Sequence, residues 1–349
     1  MSRASNLLQK TSSLLKTNVH YLVRGGFWLA IARVISSASS FILALLFGNL
    51  LPKEVYGTYT YILSIATLLS IPTLSGVGTA LIRSIAQGND GDVELALKEK
   101  LRFGTLASAG AVIVGVYYII QGNTDFGISF LLIAAFLPFL EAFSLYSSIL
   151  TGKKLFKEST YYGAITHVVI VVSMAIALLL TQNIFLIVLA YYIPRIVCRF
   201  IFFRLSQKFL SHTKQKDIHL LSLGRHLTAL EVMGSVSSQI DRIALFQFLG
   251  PASLATYSFS IAPITHIQAM LKSLLTLALP KFSEREFSVI QNTLPRKLLI
   301  FLAGLFGITG AYILFAPHFF TIFFPAIYGR CFIFTSRSAY TFVFSTKIN

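Results

Sequence analysis

Nine stretches of the chain are apolar for long enough to cross a bilayer, and the loops joining them alternate in charge. About 20 apolar residues span the hydrocarbon core as a helix, and a helix satisfies its own backbone where water cannot. The stretches lie at about 27–50, 56–81, 103–121, 126–150, 161–180, 184–203, 227–249, 254–279 and 298–316. Every second loop is basic. Lys98 and Lys100 fall in 83–102, Lys153, Lys154 and Lys157 follow the fourth stretch, Lys208, Lys214 and Lys216 lie in 204–225, and Lys281 to Lys297 bounds another. The intervening turns, such as Gly122–Asp125 and Thr181-Gln182-Asn183, are short and nearly free of Lys and Arg. Positive loops stay in the cytoplasm, so the N-terminus is expected inside and the tight turns outside. The expected fold class is all-α: a polytopic membrane protein with nine or ten transmembrane helices.

Only 12% of residues are charged and 55% are hydrophobic, against roughly 25% charged in a soluble domain. The net charge of +16 therefore belongs to the basic loops and does not call for nucleic acid. Cys198 and Cys331 form no disulfide framework, and Cys198 reads as a core thiol. No spacing fits a metal site, a nucleotide loop or a nucleophile triad, so no cofactor and no metal are expected. Residues 1–26 carry Arg3, Lys10, Lys16 and Arg24 among leucines near helical period. They read as an amphipathic helix on the cytoplasmic surface and not as a cleaved signal peptide. No outside loop is long enough to build a soluble catalytic site.

The first hairpin repeats in the seventh and eighth stretches. Leu46-Phe47-Gly48-Asn49-Leu50 and Leu245-Phe246-Gln247-Phe248-Leu249 end the two leading spans, and Pro52 and Pro251 follow. Gly57-Thr58-Tyr59-Thr60-Tyr61 then matches Ala255-Thr256-Tyr257-Ser258-Phe259. Six spans separate the copies, so both keep one orientation, as in parallel six-helix lobes. With Arg24-Gly25-Gly26-Phe27-Trp28, Tyr56-Gly57-Thr58-Tyr59, Gln239-Ile240-Asp241-Arg242-Ile243-Ala244-Leu245, Leu279-Pro280 and Phe323-Phe324-Pro325, the chain resembles the polysaccharide-export flippases of the MOP superfamily, of the O-antigen type. The resemblance covers residues 20–325. It implies two bundles facing each other as a V around a central cavity, with alternating access and no enzymatic chemistry. It also implies a cargo of undecaprenyl-diphosphate-linked oligosaccharide moved from the inner to the outer leaflet of the bacterial inner membrane. Membrane lipids, polysaccharide polymerase and chain-length machinery are the implied partners.

Such a cargo needs cations for its diphosphate, and Arg offers a planar, permanently charged fork. Span six supplies Tyr191, Arg195 and Arg199 at i, i+4 and i+8 on one helical face; Arg195, the deeper of the arginines, is the leading candidate for the diphosphate. Arg33 in span one either faces the cavity with Ser36, Ser37 and Ser40 or snorkels to the interface. Glu141 in span four reads as an ion-coupling site or as a structural hydrogen-bond partner; a carboxylate at that depth should be neutral or paired. Glu231, Ser235, Ser238 and Arg242 share one face of span seven. Arg242 is a further cargo candidate, and Asp241 a further coupling candidate pointing about 100° away. His167 and His266 read as packing residues. Aligning the repeats sets Arg33 and Glu231 at nearly equal depth, which suggests an inside gate.

The expected divisions are an N-terminal segment 1–26, a six-helix lobe 27–205, a linker 206–225, a partial second lobe 226–325 and an atypical tail 326–349. Family members carry more spans, and the tail is expected to mark a truncation near 326–330 from a shifted reading frame. Two other functions compete: a MATE-type drug or cation antiporter, disfavoured by the excess of intramembrane Arg over acid, and a membrane glycosyltransferase or polymerase, disfavoured by the short outside loops.

Overall fold

The computed structural model describes residues 19–211 and 217–262, together with 264, 265, 310 and 314, and side chains from Trp28 onward apart from 29, 30 and 33. Residues 1–18 of the segment expected on the membrane surface, most of span eight, span nine and the tail 326–349 lie outside the described residues, as do His266, Cys331 and the Arg33 side chain. The described residues are helical, with no strand among them. In order they form α1 (Val19–Leu50), α2 (Lys53–Leu69), a single 3-10 turn (Ile71–Thr73), α3 (Gly76–Ala86), α4 (Asp92–Ile120), α5 (Thr124–Phe143), α6 (Leu145–Gly152), α7 (Phe156–Leu180), α8 (Ile184–Ser206) and α9 (Leu220–Leu249). A further helix, α10, covers residues 251–262.

Among the described residues, four helical stretches are long and apolar enough to cross a membrane: Asp92–Ile120, Thr124–Gly152, Phe156–Leu180 and Ile184–Phe209. A bent pair, Lys53–Leu69 and Ile71–Ala86, makes a fifth with a 42° bend. Large apolar side chains on α4 and α7, among them Ile113, Val172 and Leu179, are exposed on the outer faces, which is the surface a lipid solvent requires. The chain is a multi-pass membrane protein. By packing it divides into one unit of 1–40 with 61–243 and another of 41–60 with 244–349.

Two helices begin ahead of their apolar runs. Helix α1 begins at Val19, inside the segment expected to lie on the membrane surface. Helix α4 begins at Asp92, ahead of the apolar run, so the polar stretch 83–102 is partly helical, as expected of it. Asp92 and Glu94 stand in its first turn, where carboxylates complement the positive end of the helix dipole, and the helix thus extends well beyond the apolar run.

Prolines inside α5 and α8 show how the bundle absorbs a broken helical ladder. Pro138 lacks the N–H that would reach the carbonyl of Ala134, and Ser108 of α4 donates to that carbonyl instead. Pro194 deprives Ala190 in the same way, and Ser173 Oγ of α7 donates to it at 2.9 Å. At the start of α8, Asn183 accepts from the amides of Phe185 at 2.9 Å and Leu186 at 3.4 Å, an ordinary side-chain cap. The apolar core of this unit lies where α3, α6, α8 and the start of α9 meet, with Val77, Leu81, Leu145, Ile149 and Leu220 buried together.

At the end of the bundle bearing the basic loops, two buried acids tie three connections together. Asp90 accepts from Lys153 Nζ at 2.6 Å and from the Ser211 amide at 2.6 Å. Asp92, fully buried, accepts from Ser84 Oγ and from the Asp217 amide at 3.0 Å. Both flanks of the linker between α8 and α9 are thereby held to the turn before α4. Asp92→Ala orphans the buried Ser84 hydroxyl and the half-buried Asp217 amide, and the expected loss is about 2–3 kcal/mol, read as a lower melting temperature in detergent. Asp92→Asn keeps an acceptor and should lose less.

In the second unit, Phe47 stacks on Tyr59 with centroids 4.7 Å apart, and Tyr56 stacks on Phe259 at 4.2 Å. Gly57 lies so close to Pro251 that a Cβ there would fall 1.9 Å from the Pro251 carbonyl oxygen. The turns of the two repeated hairpins therefore meet at their tips through aromatic rings and bare backbone.

Candidate functional site

Three helices of the first unit bring charges together within the membrane-spanning region. Helix α4 supplies Lys100, α5 supplies Glu141 near its C-terminal end, and α8 supplies Tyr191, Arg195 and Arg199. Lys100, with a side chain only 3% exposed, places Nζ 3.7 Å from Glu141 Oε2. Arg199 Nη1 lies 3.5 Å from Glu141 Oε1 and donates at 2.7 Å to the carbonyl of Leu140. That carbonyl belongs to the last turn of α5, where acceptors lack intrahelical donors and a cation complements the dipole. Arg199 therefore fixes the end of α5 as well as its carboxylate.

Arg195, one turn earlier on α8, donates to the Tyr191 hydroxyl, and its guanidinium carbon lies 5.3 Å from the centre of the Tyr191 ring. The charges of Arg199, Lys100 and Arg195 all bear on Glu141. Three cations thus act on one carboxylate, a formal excess of two positive charges over Glu141 that the charge of Glu231, felt by Lys100, offsets in part. The field of Arg195 also reaches His167 of α7. Chemically the cluster suits an anion that offers several acceptor oxygens to forked and point-charge donors.

Close packing makes this meeting possible. Gly104, one helical turn after Lys100, faces Pro138, one turn before Glu141; a Cβ on Gly104 would sit 2.7 Å from Pro138 Cα. Further along, Gly115 and Gly127 face each other in the same manner. Gly104→Ala should push α4 from α5, lengthen the Lys100–Glu141 pair and cost about 1–3 kcal/mol. A lower melting temperature together with a weakened Lys100–Glu141 coupling in a double-mutant cycle is the expected result.

Of the sequence-derived candidates, Arg195, Arg199, Tyr191 and Glu141 come together here. Arg242 donates to Gln239 Oε1 of its own helix at 3.5 Å, and Asp241 stands beside it on α9. Glu231 accepts from Ser75 Oγ at 2.6 Å. Its expected gate partner, Arg33, has its side chain outside the described residues. Lys100 was hidden from hydropathy because it lies before the apolar run of its helix; the signal that could have found it is its position four residues before Gly104 on a continuous helix.

The family model described as "Polysaccharide biosynthesis protein" matches residues 22–286. The chain belongs to this family. No curated protein matches the sequence. Among solved structures, a MATE protein in complex with MaD5 superposes with a TM-score of 0.61 at 14% identity, over 89% of this chain and 77% of that one. A MOP superfamily transporter from Pyrococcus furiosus, described as having a binding pocket of reverse polarity that suggests a different function, superposes with a TM-score of 0.57 at 14% identity, over 89% and 76%. At that identity the likeness establishes the fold. The polysaccharide biosynthesis family member described above thus has the helical fold of MATE and MOP transporters.

Proposed function

We propose that this family member is a flippase that carries an undecaprenyl-diphosphate-linked oligosaccharide across the bacterial inner membrane by alternating access. It acts as a transporter and not as an enzyme, with its N-terminus in the cytoplasm and without a cofactor. The observation that carries the proposal is the net-positive cluster of Lys100, Arg195 and Arg199 around Glu141. A diphosphate diester bears a charge on each phosphate, so it can balance the excess that Glu141 leaves. A buried cationic site repels a cationic drug and attracts this headgroup. Tyr191, already in contact with Arg195, offers a ring and a hydroxyl for the first sugar. Arg242 and Arg33 extend the proposed cationic path, and Asp241 joins Glu141 as a coupling acid. The lobes proposed to move are 27–205 and 226–325, joined by 206–225, and the polymerase and chain-length machinery take up the product.

The fold is also consistent with one rival, a MATE-type antiporter. Proteoliposomes separate the two. A fluorescent polyprenyl-diphosphate sugar placed in one leaflet should become accessible to a membrane-impermeant quencher only when the protein is present. If that lipid stays in its leaflet while a cationic dye is expelled, the antiporter reading replaces the flippase.

A further inference from the structure

The second membrane span is broken, and the break is closed from another helix. Helix α2 ends at Leu69, a single 3-10 turn follows, and Leu74 adopts a left-handed conformation (φ 58°) before α3 starts at Gly76. A non-glycine residue in that region is held by its surroundings. The N-terminus of α3 has no cap of its own, since the Ser75 side chain makes no capping bond. Helix α9 supplies the missing partners. The Gly76 amide donates to Thr228 Oγ1 at 3.0 Å, and Ser75 Oγ donates to Glu231 Oε2 at 2.6 Å.

Gly224, Thr228 and Glu231 stand at i, i+4 and i+7, so one face of α9 makes all of this contact. The backbones touch there: a Cβ on Gly76 would lie 2.6 Å from the Gly224 carbonyl, and a Cβ on Gly224 would lie 2.6 Å from Val77 Cγ2. The Glu231 carboxylate rests at the positive end of the α3 dipole, and its charge also reaches Lys100 of the buried cluster. The same acid therefore borders both the helix break and the cationic site.

We infer that Gly224, Thr228 and Glu231 form a latch that α9 closes on the broken span, and that releasing it lets α3 swing about residues 70–75 as the protein changes state. The inference takes from the flippase reading only that the protein alternates between states. Its physical basis is that a helix end capped from another helix loses its cap whenever the two part.

Thiol labelling tests the latch without any cargo. Cys198 and Cys331 are first replaced by Ala, and Thr73→Cys places a reporter at the break, where the native side chain is fully buried. Glu231→Ala and Ser75→Ala should each raise the maleimide modification rate by about tenfold, the measure of one lost charge-assisted hydrogen bond. Glu231→Gln, which still accepts from Ser75, should raise it by less than about threefold. Gly224→Ala, a wedge that leaves both hydrogen-bonding side chains intact, should match Glu231→Ala. A second reporter, Ala111→Cys on α4, should keep its parent rate throughout. Parent-like labelling of Thr73→Cys in Glu231→Ala overturns the latch, and so does equal acceleration at Ala111→Cys, which signals general loosening. Because no lipid cargo is used, failure of the flippase assay leaves this result intact.

Discussion

Glu141→Ala is expected to remove about 3–5 kcal/mol of stability, the cost of leaving a buried charge without its counter-ion. Lys100 has a side chain 3% exposed and approaches this carboxylate at 3.7 Å, and Arg199 approaches it at 3.5 Å. Alanine would leave both cations facing each other across an apolar site. The check is a thermal melt in detergent, with expression in the membrane as a second readout. Lys100→Met added to Glu141→Ala should restore much of the loss, because an apolar side chain of similar length removes the stranded charge. Glu141→Gln should fall between, since an amide oxygen still accepts from Arg199. If Glu141→Ala melts like the parent, the ion pairs are ornamental and the cluster is not a unit.

The apolar spans were legible because crossing a bilayer imposes a minimum length that no other constraint disguises. The face formed by Tyr191, Arg195 and Arg199 was legible too, since helical spacing alone puts those residues together. Other features depend on pairs of helices. Nothing near Glu141 in sequence names Lys100 as its partner; the pair exists because Gly104 lets α4 approach Pro138. The serines that serve Pro138 and Pro194 likewise come from neighbouring helices. Pro72, Gly76 and Gly78 are residues that break or bend a helix, and the break at 70–75 lies among them. What the break does could not be read locally. It exposes a helix end, and Glu231 of another helix meets Ser75 at that end.

Arg195→Ala should abolish transport while leaving the fold in place. Arg199 holds the Leu140 carbonyl and Glu141, whereas Arg195 donates to the Tyr191 hydroxyl one turn away on α8 and lies over its ring. Those contacts leave a planar cation stacked beside an aromatic ring, an arrangement suited to receive a phosphate on one edge. Removing one charge-assisted, bidentate contact from a desolvated anion is worth about 2–5 kcal/mol, a loss of at least roughly 30-fold in transport rate at limiting cargo. Arg195→Lys keeps the charge but not the fork, and should retain partial activity. The measurement is complementation of a flippase-deficient strain, paired with leaflet-accessibility kinetics in proteoliposomes and a melt to confirm folding. Arg199→Ala, by contrast, should lower the melting temperature and the transport rate together, because it frees the end of α5. Full transport by a folded Arg195→Ala variant would remove this residue from the diphosphate site and move the search to Lys100, the most buried cation of the cluster.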